Sequence, residues 1–237
     1  VCLTYGFSKK GILFQWLAQV SDARLLFFPV RSMLGPIWVS CPSVMAEHGL
    51  VVDSFDDAHV CAFGATNAGN QDNKGGAFSI PSDGLNLGWL FLLPGKPAPP
   101  IPDSLSLPQE IRQRAVLVSD GIFSRLVNDN LEVRTSVAIN PATGAATDGA
   151  LYSYEAIPRA TVLWFDAVYS FPEFFRVRQR NGKKLTEEEI IESRGKDARW
   201  EWIRGNLELG FPLVEAMGLG GMNTRGMGRL SIERGPE

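Results

Sequence analysis

Histidine is nearly missing from this chain, which has His48 and His59 alone among 237 residues. They lie eleven positions apart, and neither has a metal-ligating partner at helical or turn spacing. A surface or core histidine is the better reading of each than a metal ligand, and there is little here for a conventional active site. Cysteine is scarce too. Cys2, Cys41 and Cys61 are odd in number and form no CxxC pair, which argues against a disulfide scaffold or a thiolate cage. A reduced, cytoplasmic protein is the simplest account. No GxSxG, Walker loop or HExxH segment occurs, so the commonest hydrolase and nucleotide-binding signatures are absent. The longest apolar runs, such as Leu25 to Val30 and Trp89 to Leu93, fall far short of the roughly 20 residues that span a bilayer. No charged segment leads into an apolar one at the start, so no secretory signal is read and no membrane partner is expected.

Positive charge is not in excess either. Against 23 Lys and Arg stand 26 Asp and Glu, a net charge of −3. A general electrostatic nucleic-acid binder is excluded, and any RNA contact must rest on local patches or backbone donors. Asp53, Asp56 and Asp57 cluster, and read as a solvated loop or as a cation site. The chain has no initiator methionine, and an interior-type strand is under way by Asp22. The expectation is that an amino-terminal portion precedes Val1.

What is present reads as short strands interleaved with helices. Ser21 to Val30 is a mostly apolar run, a buried strand, followed by a turn at Ser32 to Gly35 and a β-rich run at Ile37 to Ser40. Pro42 suits the first position of a helix over 43–48 that Gly49 ends. From 50 to 108 the order weakens into an irregular insertion, with Gly64 to Gly76 and six prolines between Pro94 and Pro108 flanking one strand near Leu87 to Leu93. A strand at Arg114 to Val118 leads into a helix capped by Ser119 or Asp120 and running through Leu126, with Ile122, Phe123 and Leu126 on one face. Leu131 to Ile139 and Ala150 to Ile157 form a long hairpin around a turn-forming tip, Asn140 to Gly149. Thr161 to Tyr169 is a further strand, and Thr186 to Glu189 opens a helix with a capping box. With no βαβ fingerprint and no internal repeat, the fold class is α+β with an antiparallel sheet.

Three features carry chemistry. Gly218, Gly220, Gly221, Gly226 and Gly228 fall within eleven residues around Asn223, Thr224 and Arg225, before an alternating strand from Arg229. Dense glycine admits positive φ and close approach of backbone amides to an anion such as a phosphodiester; a glycine-rich hairpin holding nothing is the other reading. Arg176, Arg178 and Arg180, followed by Lys183 and Lys184, form either a positive ridge for phosphates or an edge strand protected by charge. Arg31, ending a buried strand, suits a salt bridge or a phosphate contact.

Together these residues carry a resemblance. Ser21-Asp-Ala-Arg-Leu-Leu-Phe-Phe-Pro-Val-Arg-Ser32, then Gly35 and Trp38 to Pro42, resembles the repeated backbone subunit of type III-B (Cmr) CRISPR effector complexes, a branch of the RAMP superfamily. So do Val116 to Asp120 with Phe123. The hairpin Glu132 to Thr135, Ile139 to Gly144, Gly149 to Tyr152 and Glu155 resembles the family's thumb. Gly220-Gly221, Thr224 and Gly226-Met-Gly228 resemble its terminal glycine loop. The resemblance spans nearly the whole chain and implies a single RAMP domain. Its modified ferredoxin-like palm, similar to an RNA recognition motif, would carry a β-hairpin thumb over 131–158.

The resemblance further implies copies stacked in a filament along a CRISPR RNA, with thumbs interrupting the guide–target duplex. The implied partners are the guide, target RNA, further copies of the chain, and other Cmr subunits, both small helical and large polymerase-like. RNA binding would fall to Arg31, Ser32, Arg176, Arg178, Arg180, Gly220, Gly221, Asn223, Thr224, Arg225, Gly226 and Gly228. Thumb contacts would fall to Val133, Arg134, Val137, Ile139, Asn140, Thr143, Leu151 and Tyr152. Family members cut target RNA with an amino-terminal aspartate loop and divalent cations (magnesium or manganese). That loop has no counterpart in this sequence, so the catalytic role is assigned to no residue here. A non-cleaving structural subunit and a stand-alone RNA-processing endonuclease are the alternatives.

Overall fold

Three successive apolar residues, Leu26-Phe-Phe28, can be buried together only in a strand covered on both faces, and the structure, a computed structural model, places them so. The structure describes residues 7–9, 12–14, 16–53, 55–64, 78–170 and 201–235. The basic cluster of 176–184, the capping box at 186–189 and most of the glycine-rich stretch 64–76 lie outside them. The chain divides into two compact units, residues 24–164 with 235–237, and residues 1–23 with 165–234.

The first unit is built on a seven-stranded sheet. Its strands are β4 (Arg24–Ser32), β5 (Gly35–Ser40), β6 (His59–Ala62), β7 (Leu85–Leu87), β8 (Leu90–Pro94), β9 (Ala115–Leu117) and β12 (Val162–Trp164), in the order β12-β4-β5-β9-β6-β8-β7. The fold class is α+β, but the sheet is mixed rather than antiparallel throughout: β5 with β9 and β6 with β8 run parallel. The long, partly helical connection between β5 and β9 allows the parallel return.

One face of the sheet (Phe28, Val30, Ile37, Val39, Val116 and Val118) is covered by Ile122, Phe123 and Leu126 of α3 (Asp120–Asp129). Ser119 caps α3, its hydroxyl accepting from the Ile122 amide at 3.2 Å. The other face (Phe27, Trp38, Cys61, Ala115 and Leu117) is covered by Met45 of α1 (Pro42–Ala46) and Ile111 of α2 (Gln109–Gln113), and by Ala98, Ile101 and Leu105. Pro42 takes the first turn of α1, which is shorter than the sequence suggests, and Gly49 follows at φ +78°.

The 50–108 stretch is thus no mere surface insertion. It supplies β6, β7 and β8, and its proline-rich coil lids one sheet face. Ala98 is bridged to the end of β6, its amide donating to the Ala62 carbonyl at 2.9 Å, while Pro97, Pro99 and Pro100 bring no amide donor that needs a partner. The strand expected at 87–93 is a hairpin, because Gly88 turns the chain at φ +59°.

The hairpin β10 (Glu132–Ile139) and β11 (Ala146–Ala156) belongs to the same unit and forms its own two-stranded sheet. The strand read over 161–169 is two strands. β12 pairs with β4, whereas β13 (Ala167–Tyr169) pairs with β3 (Ala18–Val20) in the second unit. Asp166 marks the change: its amide donates to Ser21 Oγ and its carbonyl accepts from the Ser21 amide, each at 2.9 Å.

The second unit also holds the hairpin β1 (Phe7–Lys9) and β2 (Ile12–Phe14), together with α4 (Glu201–Glu208) and α5 (Phe211–Met217). Among the described residues its core holds Leu17, Ala18, Ile203 and Leu207, packed by Ala167, Tyr169 and Phe211. No described helix is long and apolar enough to cross a membrane.

Candidate nucleic-acid interface

The glycine loop leaves α5 at Gly218, whose amide still donates to Val214 at 2.7 Å while its own φ is +79°. The neck closes where the Leu219 amide donates to the Gly228 carbonyl at 2.9 Å. Two glycines are obligatory there. A Cβ at Gly228 would lie 1.9 Å from the Leu219 oxygen, and one at Gly218 would lie 2.8 Å from the Gly228 oxygen.

Beyond the neck the requirement changes. Met222 is left-handed at φ +62°, Asn223–Arg225 form a single 3-10 turn, and the Gly226 amide returns to the Asn223 carbonyl at 2.9 Å. Gly220 and Gly226 keep positive φ, but Gly221 does not, and a Cβ on any of the three would meet nothing within 4 Å. Gly221 therefore answers to no constraint within the described residues. Arg225 is exposed, and Asn223 reaches back to the Gly218 carbonyl at 3.5 Å. The strand expected after the loop is not formed. Arg229 to Ile232 is unpaired, and the Ile232 amide donates to the Glu215 carboxylate at 2.6 Å, a side chain taking the place of a ladder.

In the sheet unit, the hairpin register (Glu132 opposite Ala156, Val137 opposite Leu151) sorts its side chains onto two faces. One carries Arg134, Ser136, Tyr152 and Tyr154, and the other Val133, Val137 and Leu151. Val133 and Leu151 are each 68% exposed and Ile139 is 62% exposed, so neither face serves a core. The tip is shorter than the 140–149 read from sequence, since β11 starts at Ala146; the slack falls in an irregularity beside Gly149, at φ +73°. Asn140 and Thr143 build that tip. Asn140 Oδ1 accepts from the Ala142 amide at 2.9 Å, and Thr143 Oγ1 accepts from Ala145 at 3.4 Å. Arg134 pairs with Glu132 at 2.7 Å, and that hydrogen bond holds the Glu132 carboxyl below its ordinary range. Tyr154, which the sequence reading passed over, lies 6.2 Å from Tyr152 between ring centroids. The alternation Tyr-Ser-Tyr was its signal.

Arg31 is exposed near the end of β4, and no ion pair of it occurs among the described residues. Ser32 is buried and already engaged, donating to the Gly35 carbonyl at 2.6 Å and accepting from the Leu34 amide at 3.1 Å. It shapes the β4–β5 turn. Arg176, Arg178 and Arg180 lie outside the described residues, and Thr224 sits in the 3-10 turn of the loop.

Among the described residues no hydrolytic constellation accompanies these features. Asp56 receives the Ala58 amide at 3.0 Å and lies 2.5 Å from His59 Nδ1, and Asp57 accepts from the Ser119 hydroxyl. Among the described residues no three His, Cys, Asp or Glu side chains come together as metal ligands. Burial, then a hydrogen bond to Asp120, pushes the Cys41 thiol up to about 12; burial and the Asp56 charge push Cys61 up to about 11. Neither is a nucleophile at neutral pH.

The sequence matches the RAMP superfamily over residues 18–231, and the chain belongs to that family. Among solved structures it is similar to the type III-B Cmr-beta complex bound to cognate target RNA, at 14% identity over 78% of this chain and 64% of that one, with a TM-score of 0.49. It is also similar to Cmr4 (16% identity, 90% and 71% covered, TM-score 0.48) and to oligomeric Cmr4 from Pyrococcus furiosus (18%, 90% and 71%, 0.45). The chain thus spans just under two thirds of the first of these. No curated protein matches it.

Proposed function

We propose that this chain is a guide-RNA-binding backbone subunit of a type III-B CRISPR effector complex, stacking with further copies of itself along the guide beside other Cmr subunits. The observation that carries the reading is the glycine loop. Its neck glycines are required by contacts within the loop, whereas Gly220, Gly221 and Gly226 face open space, where a bulky side chain would stand between backbone amides and a phosphodiester. RAMP membership and the four motifs in order support it. Target cleavage would need a divalent cation (magnesium or manganese), and the described carboxylates do not offer a site for one. No chemical step is therefore assigned to these residues.

The test is RNA retention. Gly221→Val should leave the far-ultraviolet circular dichroism unchanged and strip the co-purified RNA when the chain is expressed with its guide. Normal RNA content in a folded Gly221→Val protein would sink the proposal.

A further inference from the structure

Trp89, in the turn between β7 and β8, is 91% exposed, the most exposed of the large apolar side chains described. Its turn is nonetheless held firmly. The Gly88 amide donates to the Arg31 carbonyl at 2.8 Å, and Gly88 sits so close to Asn130 that a Cβ would lie 2.9 Å from its Oδ1. Asn130 is fixed in turn, its side-chain amide donating to the Leu126 carbonyl of α3 at 2.9 Å. The indole is thus presented from a clamp between β4 and α3, beside the β4–β5 turn with its exposed Met33 and Leu34.

Two cations belong to the elements around this turn: Arg31 lies on the strand whose carbonyl takes the Gly88 amide, and Arg114 reaches the β4–β5 turn. Arg31 is exposed, and Arg114 donates to the Leu34 carbonyl while its Nε is buried without a partner among the described residues. No described carboxylate pairs with either one, and Asp129, next to the clamp, is committed to Arg125 at 3.6 Å. Trp89 is thus an exposed, firmly held ring on a turn whose neighbouring strand carries an exposed Arg31 that no described carboxylate pairs. It suits a ligand that offers a flat π-face and a negative charge one bond system away, which is single-stranded nucleic acid.

We infer that Trp89 is a stacking platform for one RNA base, with Arg31 on the adjoining phosphate. The inference rests on the RNA-holding reading above and adds a residue to it. Equilibrium binding of the full chain to an oligouridylate, and to an abasic ribose-phosphate strand of equal length, tests it. Trp89→Ala should weaken oligouridylate binding by about tenfold, with the abasic strand and the salt slope unaffected. Trp89→Phe should keep most of the affinity, and Arg31→Ala should weaken both strands and flatten the slope by about one unit.

Wild-type affinity of Trp89→Ala for oligouridylate, or an equal loss on both strands, would overturn the stacking role and leave the broader reading standing. A change in the sedimentation of RNA-free protein with unaltered RNA affinity would make Trp89 a protein contact instead. Wild-type protein that binds neither strand would overturn both proposals.

Discussion

At the scale of single residues, glycines that look alike in sequence answer to different demands. Gly228 must admit the Leu219 carbonyl at a positive φ, whereas Gly221 has ordinary backbone and empty space around it. Gly228→Ala should lower stability by about 2 kcal/mol or more, as strained positions do, while Gly221→Ala should stay within about 0.5 kcal/mol. Urea melts of the two variants check this, and equal losses would mean the neck is not closed as described. Asp120 gives a pH signature. Burial pulls its carboxyl upward, but hydrogen bonds from Cys41 and Ser43 outweigh it and leave the group below its ordinary value. A carboxyl lowered on folding contributes stability above its unfolded pKa and loses it as pH falls through the folded one. The stability gap between wild type and Asp120→Asn should therefore be widest near neutrality and narrow in acid. A gap constant with pH would refute the assignment.

At the scale of elements, the β10–β11 hairpin is the one most separable from the core. Its apolar side chains are largely exposed, and its tip is closed within itself, by side-chain bonds of Asn140 and Thr143 and backbone bonds of Asn140 with Gly144 and Ala145. Replacing Asn140 to Ala145 with Asn-Gly should keep the Ile139–Ala146 pairing and leave the melting temperature within a few degrees, since a two-residue turn closes a hairpin. The same change should alter which target positions stay unpaired along an assembled guide, read by chemical probing. An unaltered pattern would reduce the hairpin to a structural arm. The capped helix α3 is the contrary case. Ile122, Phe123 and Leu126 were legible from sequence, and the cap was narrowed to Ser119 or Asp120, because a cap followed by a 3.6-residue apolar period leaves few alternatives.

At the scale of the molecule, the two units differ in how they are held. The seven-stranded sheet has cores on both faces, while the described residues of the other unit gather around Leu17 and Ile203. Residues 24–164 expressed alone should melt cooperatively, with a near-ultraviolet dichroism signal from the buried aromatics Phe27, Phe28 and Trp38. A broad, non-cooperative transition would show that this sheet depends on the remainder of the chain.

The sequence by itself determined the α+β class, the paired strands β4 and β5, the capped helix, the hairpin and the glycine loop. Each is a local pattern of apolar spacing, capping or turn chemistry within about a dozen residues. Tertiary structure alone decided the rest. The proline-rich coil became a lid because Ala98, Ile101 and Leu105 found a sheet face assembled from strands distant in sequence. The run at 161–169 broke in two because β4 and β3 are different partners for its halves. Trp89 came to stand beside Arg31, 58 positions away in sequence, through one backbone hydrogen bond from Gly88. Contacts between distant segments depend on which strand edges and faces are still open once the local elements have formed, and no local pattern records that.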